Sequence, residues 1–156
     1  MPAVADPPTG LEALPWPQLS AVGQLVAELW ATTRALARWY EEAGARTRIE
    51  GLRAALEALA AGKAAQAGVL EPFVETVGRL GVPASPFAPP PVPATGPMER
   101  GAPFSMAFPA ERALAVGYRE LAALLPDTAL FPALGSLAAQ AARDQATLRR
   151  LYLQYS

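Results

Sequence analysis

Apolar residues recur along this chain at alternating steps of three and four, the spacing that lines one face of an α-helix packed in a bundle. One such stripe runs Val22, Val26, Leu29, Thr33, Leu36, Tyr40, and a second runs Ile49, Leu52, Leu56, Leu59, Lys63, Gln66, Leu70, Phe73. A third follows Glu111, Leu114, Tyr118, Leu121, Leu125, and a fourth Leu130, Leu134, Leu137, Ala141, Asp144, Leu148, Leu151. Ser20 is placed to cap the first helix, which the pattern carries to Gly44, with a turn at 44–46. The second helix is predicted to reach Leu80, with Pro72 as a kink or break. The third opens at Ser105 or Pro109, and Pro126-Asp127 marks a turn with Asp127 as N-cap of the last helix.

Proline punctuates the rest. Five prolines in the first eighteen residues predict an extended N-terminal arm over 1–18, with Trp16 as its anchor on a domain spanning 19–156. Eight prolines over 81–104 exclude helix and central strand there. That segment predicts a long crossover at about 81–108, and its PPPVP run also has the composition of a polyproline ligand.

The two halves echo one another. At an offset of 78, RALARWYEEAGA (34–45) falls on RALAVGYRELAA (112–123), and Leu52, Leu56, Leu59 and Leu70 fall on Leu130, Leu134, Leu137 and Leu148. One offset that covers two helices and their turn predicts a duplicated helical hairpin, hence an all-α four-helix bundle with one crossover.

Each stripe is interrupted, and the interruptions obey the same offset: Thr33 with Glu111, Lys63 with Ala141, Gln66 with Asp144. Six positions from four helices are thereby expected in one core layer. A bundle di-metal centre has this layout, with one Glu from each of two helices and a Glu-x-x-His step from each of the others. The chain resembles the ferritin-like superfamily, in particular rubrerythrin-like and related bacterial ferritin-like domains, over roughly 20–156. The stretch LFPALGSLAAQAARDQATLRRL (130–151) and AERALAVGYRELAALL before it carry the likeness. The resemblance implies a ferritin-like bundle whose ligands are lost: Lys63-x-x-Gln66 and Ala141-x-x-Asp144 stand where the family has Glu-x-x-His, and Thr33 and Glu111 where it has isolated glutamates. Two carboxylates beside a lysine do not balance the charge of two irons, so the expectation is no metal, no cofactor and no enzymatic activity. Lys63 then has two readings. It lies buried between Glu111 and Asp144 as a substitute for metal charge, or it snorkels to solvent while Glu111 serves the helix dipole. The core tyrosines Tyr40 and Tyr118 are expected to pack with their hydroxyls reaching the polar layer.

Composition narrows the function. Thirteen Lys+Arg against fourteen Asp+Glu leave no field to attract nucleic acid, and the absence of Cys and His removes disulfides, thiolate sites and the usual general base. Charged residues are 17% against the usual level of about 25%, and apolar residues 52%, which favours a homo-oligomer or a subunit of a larger assembly. The opening residues have no basic n-region or apolar h-region, and no run of about eighteen residues is apolar enough to span a bilayer. A cytoplasmic structural or interaction subunit is expected. The alternatives are a small-molecule binding module using the vacated core, where Thr33, Gly62, Ala141 and Ala142 are small, and a residual single-metal protein using Glu111, Asp144 and Gln66.

Overall fold

The computed structural model describes residues 10–82, 102–125 and 130–155, and within these the chain is helical without a strand. A 3₁₀ turn, Leu11–Ala13, precedes four α-helices: α1 (Trp16–Arg46), α2 (Glu50–Arg79), α3 (Ala102–Leu124) and α4 (Leu130–Tyr155). They pack in pairs, α1 on α2 and α3 on α4, and the two hairpins meet mainly through α1 and α3, with α2 and α4 in looser contact. No described helix is long and apolar enough to cross a membrane.

The N-terminal boundary differs from the expected arm. Helix α1 starts at Trp16, not at Ser20, because Pro17 falls in its first turn, where a missing amide proton costs nothing. Trp16 is 54% exposed, and the residue that ties this segment to the core is the fully buried Leu11. The first turn is also displaced. α1 continues through Gly44 to Arg46, and the reversal occupies Thr47–Ile49, leaving Ile49 half exposed instead of on the stripe. Arg53 fixes that reversal by donating from Nε (3.2 Å) and Nη2 (2.7 Å) to the Thr47 carbonyl, while the Ile49 amide donates to Thr47 Oγ1.

Pro72 does not break α2. The helix runs through it to Arg79, and the Thr76 hydroxyl donates to the Pro72 carbonyl at 2.9 Å. Its end is set by Gly81, whose φ of 87° belongs to the left-handed region that a side chain disfavours. Gly81 N donates to Gly78 O and Val82 N to Val77 O, the paired bonds of a Schellman motif, with Val77 and Val82 as its buried apolar contact. Those two valines lie against Gly23, where a Cβ would sit 2.9 Å from Val82 Cγ1 and closer still to Val77. The end of α2 is therefore clamped beside the start of α1.

α3 begins earlier than Ser105 or Pro109, at Ala102, and carries Pro109 inside it, so residues 102–108 belong to the helix and not to the crossover. The remainder of the expected crossover, 83–101, and the Asp127 cap lie outside the described residues. Contacts of Thr33 with Tyr118 and of Tyr40 with Glu111 show that α3 runs antiparallel to α1. Val82 and Ala102 thus sit at opposite ends of the bundle. Gly117 allows the close approach of α1 to α3: a Cβ there would fall 2.5 Å from Leu29 Cδ2.

Candidate functional site

Two turns of helix separate Thr33 from Tyr40 on α1 and Glu111 from Tyr118 on α3, so each pair shares one face. Lys63 and Gln66 on α2, and Ala141 and Asp144 on α4, are three apart and likewise share a face. The structure brings all six stripe-breaking positions into the interior: Thr33, Lys63, Glu111 and Ala141 are fully buried, and Gln66 and Asp144 are 5% and 6% exposed. Ala141 contributes space and no polar contact.

Lys63 is the centre of the layer. Its Nζ lies 2.6 Å from Glu111 Oε2, 3.0 Å from Asp144 Oδ2 and 3.0 Å from Gln66 Oε1, which accepts from it. An ammonium has three protons, and three acceptors surround this one. The snorkelling alternative is thus not what the chain does: the stem stays inside and the charge is met there. Gln66 turns its amide nitrogen to Asp144 Oδ2 at 3.1 Å, so one side chain serves both the cation and an anion. Asp144 Oδ1 accepts from Gln140 Nε2 at 2.9 Å, and Gln140 Oε1 in turn accepts from Arg143 at the surface. Glu111 Oε2 has no hydrogen-bond partner beyond its ion pair with Lys63.

The tyrosines close the layer on the α1–α3 side. Tyr40 donates to Glu111 Oε1 at 2.7 Å, and Tyr118 and Thr33 share a 2.7 Å bond. Thr33 gives its single proton to the Leu29 carbonyl at 2.7 Å, which leaves Tyr118 as donor to Thr33. Both hydroxyls reach the polar layer, as their stripe positions predict. The offset of 78 relates the two bonds, since it carries Thr33 onto Glu111 and Tyr40 onto Tyr118. Gln66 and Asp144, which bond to one another, are also separated by 78. Gln140 was not on any predicted stripe; its position four residues before Asp144, a spacing at which Gln and Asp side chains pair on a helix, is the signal that marks it.

One cation and two carboxylates leave the layer one negative charge in excess when all are ionised. Burial accordingly pushes the Glu111 carboxyl above its ordinary range, and the Lys63 ammonium and the Tyr40 hydrogen bond recover only part of that shift. Burial also raises both phenols: Tyr118 is pushed up to about 12, and Tyr40, beside the Glu111 charge, further. Among the described residues no three His, Cys, Asp or Glu side chains converge as metal ligands do. The acidic members are two, and the space between them holds an ammonium.

An open groove of about 490 Å³ lies between α2 and α4 beside this layer, lined by Gly62, Ala65, Val69, Ala133 and Leu137 and by polar side chains that include Arg143, with Gln66 and Gln140 common to both. It accompanies the looser contact of these two helices.

No protein-family profile, no curated protein sequence and no solved structure matches this chain.

Proposed function

We propose that this chain is a ferritin-like bundle of two duplicated hairpins that has exchanged a di-metal centre for an internal ion-pair network and serves as a structural or protein-interaction subunit. The observation that carries this reading is Lys63. Its ammonium is fully buried and sits between carboxylates of α3 and α4, at the junction of four helices where a bundle metal centre would lie. A divalent cation there would have to displace a covalently tethered charge of the same sign, and would find two carboxylates and no imidazole. The residues present do not fit a di-iron or di-manganese group, nor a single hard cation held by Glu111, Asp144 and Gln66, because Gln66 spends its carbonyl oxygen on Lys63. The offset of 78, which relates the stripes, the leucines and the two tyrosine hydrogen bonds, supports the duplicated-hairpin reading.

The subunit role is supported by apolar side chains left at the surface. Leu153 is 70% exposed, Leu124 58% and Trp16 54%, in a chain with few charges to keep it apart from partners. A second reading, a small-molecule binding module, is favoured by one observation only: the groove between α2 and α4 is mainly apolar and reaches the polar layer through Gln66 and Gln140.

Native mass spectrometry of the purified protein, before and after incubation with Fe²⁺ or Mn²⁺, tests both. A multimer carrying neither metal nor adduct is expected. Stoichiometric metal that disappears in Glu111→Gln would end the scaffold reading, a strictly monomeric protein would weigh heavily against it, and a retained small molecule would move the function to the groove.

A further inference from the structure

A buried lysine, an aspartate and a glutamate in mutual contact can do more than neutralise one another. We propose that Lys63 and Asp144 condense to an intramolecular isopeptide bond, with Glu111 carrying the protons, so that α2 and α4 become covalently joined. This deepens the structural role proposed above and rests on it.

The three groups have what the condensation requires. Lys63 Nζ is 3.0 Å from Asp144 Oδ2 and 2.6 Å from Glu111 Oε2, all three side chains are nearly or fully removed from solvent, and helical backbone fixes each. Fixed contact of this kind replaces a bimolecular encounter by an intramolecular one, which is worth many orders of magnitude in rate. Asp144 is the acyl partner because amide donors hold both its oxygens: Gln66 Nε2 on Oδ2 at 3.1 Å and Gln140 Nε2 on Oδ1 at 2.9 Å. Such donors stabilise the negative charge that builds on a carboxyl group under attack. Glu111 is the proton carrier because its Oε2 faces the same ammonium and has no other partner, while Tyr40 holds Oε1 and sets the orientation.

The step balances. The ammonium gives one proton to Glu111, and the freed amine lone pair forms the bond from Nζ to Asp144 Cγ. Glu111 passes that proton to Oδ2, takes a second from the nitrogen and delivers it to the same oxygen. The bond from Cγ to Oδ2 then breaks and one water leaves. Glu111 ends as it began, and no oxidant, metal or co-reactant is consumed. Exclusion of bulk water from the layer disfavours the reverse hydrolysis. The bond would tie the first hairpin to the second through α2 and α4, which meet more loosely than α1 and α3 do.

The test is the intact mass of the full purified chain, measured denatured, with fragmentation of its peptides. The wild-type chain is expected to be lighter than its sequence by one water, with Lys63 and Asp144 in one cross-linked peptide pair. Lys63→Arg, which keeps the charge and removes the amine nucleophile, and Glu111→Gln, which keeps the amine and removes the proton carrier, are expected at full sequence mass. A wild-type chain at full mass overturns the proposal, as does a water lost elsewhere, a link from Lys63 to Glu111, or a link that persists in Glu111→Gln. A full-mass chain that is still a metal-free multimer removes the isopeptide bond and leaves the proposed function standing. Bound metal removes the function itself.

Discussion

The two hairpins share a hydrophobic skeleton and carry different chemistry at the level where they meet. Leu36 and Leu114, Leu56 and Leu134, Leu59 and Leu137, Leu70 and Leu148 are related by the offset of 78, and every member is buried. At the three polar positions the halves diverge. The first hairpin supplies Thr33, Lys63 and Gln66, with a cation and no anion; the second supplies Glu111, Ala141 and Asp144, with two anions and no cation. Neither half can bury its own polar level without an unpaired charge, a state that costs several kcal/mol per ion. Leucine matching makes the halves similar enough to pack. Charge mismatch makes each need the other, and the observed register is one that places Lys63 against both Glu111 and Asp144.

The strongest way to break this complementarity is Lys63→Met, which keeps the length of the stem and removes the charge. Two carboxylates then face each other without a cation, and against the uncondensed wild-type chain a loss of about 3–5 kcal/mol is expected in urea unfolding, the usual cost of removing one partner of a buried pair. Adding Glu111→Gln and Asp144→Asn to that variant neutralises the layer and should restore much of the loss. A cost below about 1 kcal/mol for Lys63→Met would mean that the cation is not what joins the halves.

How much of this is legible in the sequence follows from what each feature depends on. The four helices and the polar layer are written in periodicity, which survives because burial demands it: spacing alone aligns Thr33, Lys63, Gln66, Glu111, Ala141 and Asp144 across helices. Helix boundaries were less legible. Trp16 as first helical residue depends on Pro17 being tolerated in a first turn, and the run of α3 through Pro109 depends on packing that outweighs a lost hydrogen bond. The fate of Lys63 was undecidable from spacing alone. Burial and snorkelling both satisfy the stripe, and only the distances to Glu111, Asp144 and Gln66 separate them. Gln140 was hidden because it lies beside the stripe, reaching the layer through the next turn of its own helix.

The excess negative charge of the second hairpin gives a pH signature. Burial raises the Glu111 carboxyl above its ordinary 4.5, so the folded chain holds a proton that the unfolded chain has released. A group whose folded value is raised stabilises fully below its unfolded value, and that contribution is lost as pH rises through the folded one. Unfolding midpoints in urea, taken at steps upward from pH 4.5, should therefore fall more steeply for the wild type than for Glu111→Gln, by at most the slope of one proton. Parallel profiles would show that Glu111 releases no extra proton on unfolding and that its contacts with Lys63 and Tyr40 offset its burial.

The smallest expected difference is the most direct comparison of the halves, because the offset makes Tyr40 and Tyr118 equivalent. Each gives a 2.7 Å hydrogen bond across the α1–α3 contact, Tyr40 to the Glu111 carboxyl and Tyr118 to the Thr33 hydroxyl. Removing Tyr118 leaves Thr33 still donating to the Leu29 carbonyl, so Tyr118→Phe should cost about 1 kcal/mol, the usual worth of a neutral bond. Removing Tyr40 strips Glu111 Oε1 of its donor in a fully buried site, and bonds to charged groups are worth about 1.5–3 kcal/mol, so Tyr40→Phe should cost about 1 kcal/mol more than its mate. The edge-on contact of Tyr40 with Trp39, centroids 5.3 Å apart, survives in phenylalanine and does not enter the difference. Urea unfolding of the two single variants measures it. Equal losses would mean that Glu111 accepts as a neutral acid at the pH of the experiment, and the gap should then open as pH is raised, because the charge that distinguishes the halves appears only when that proton leaves.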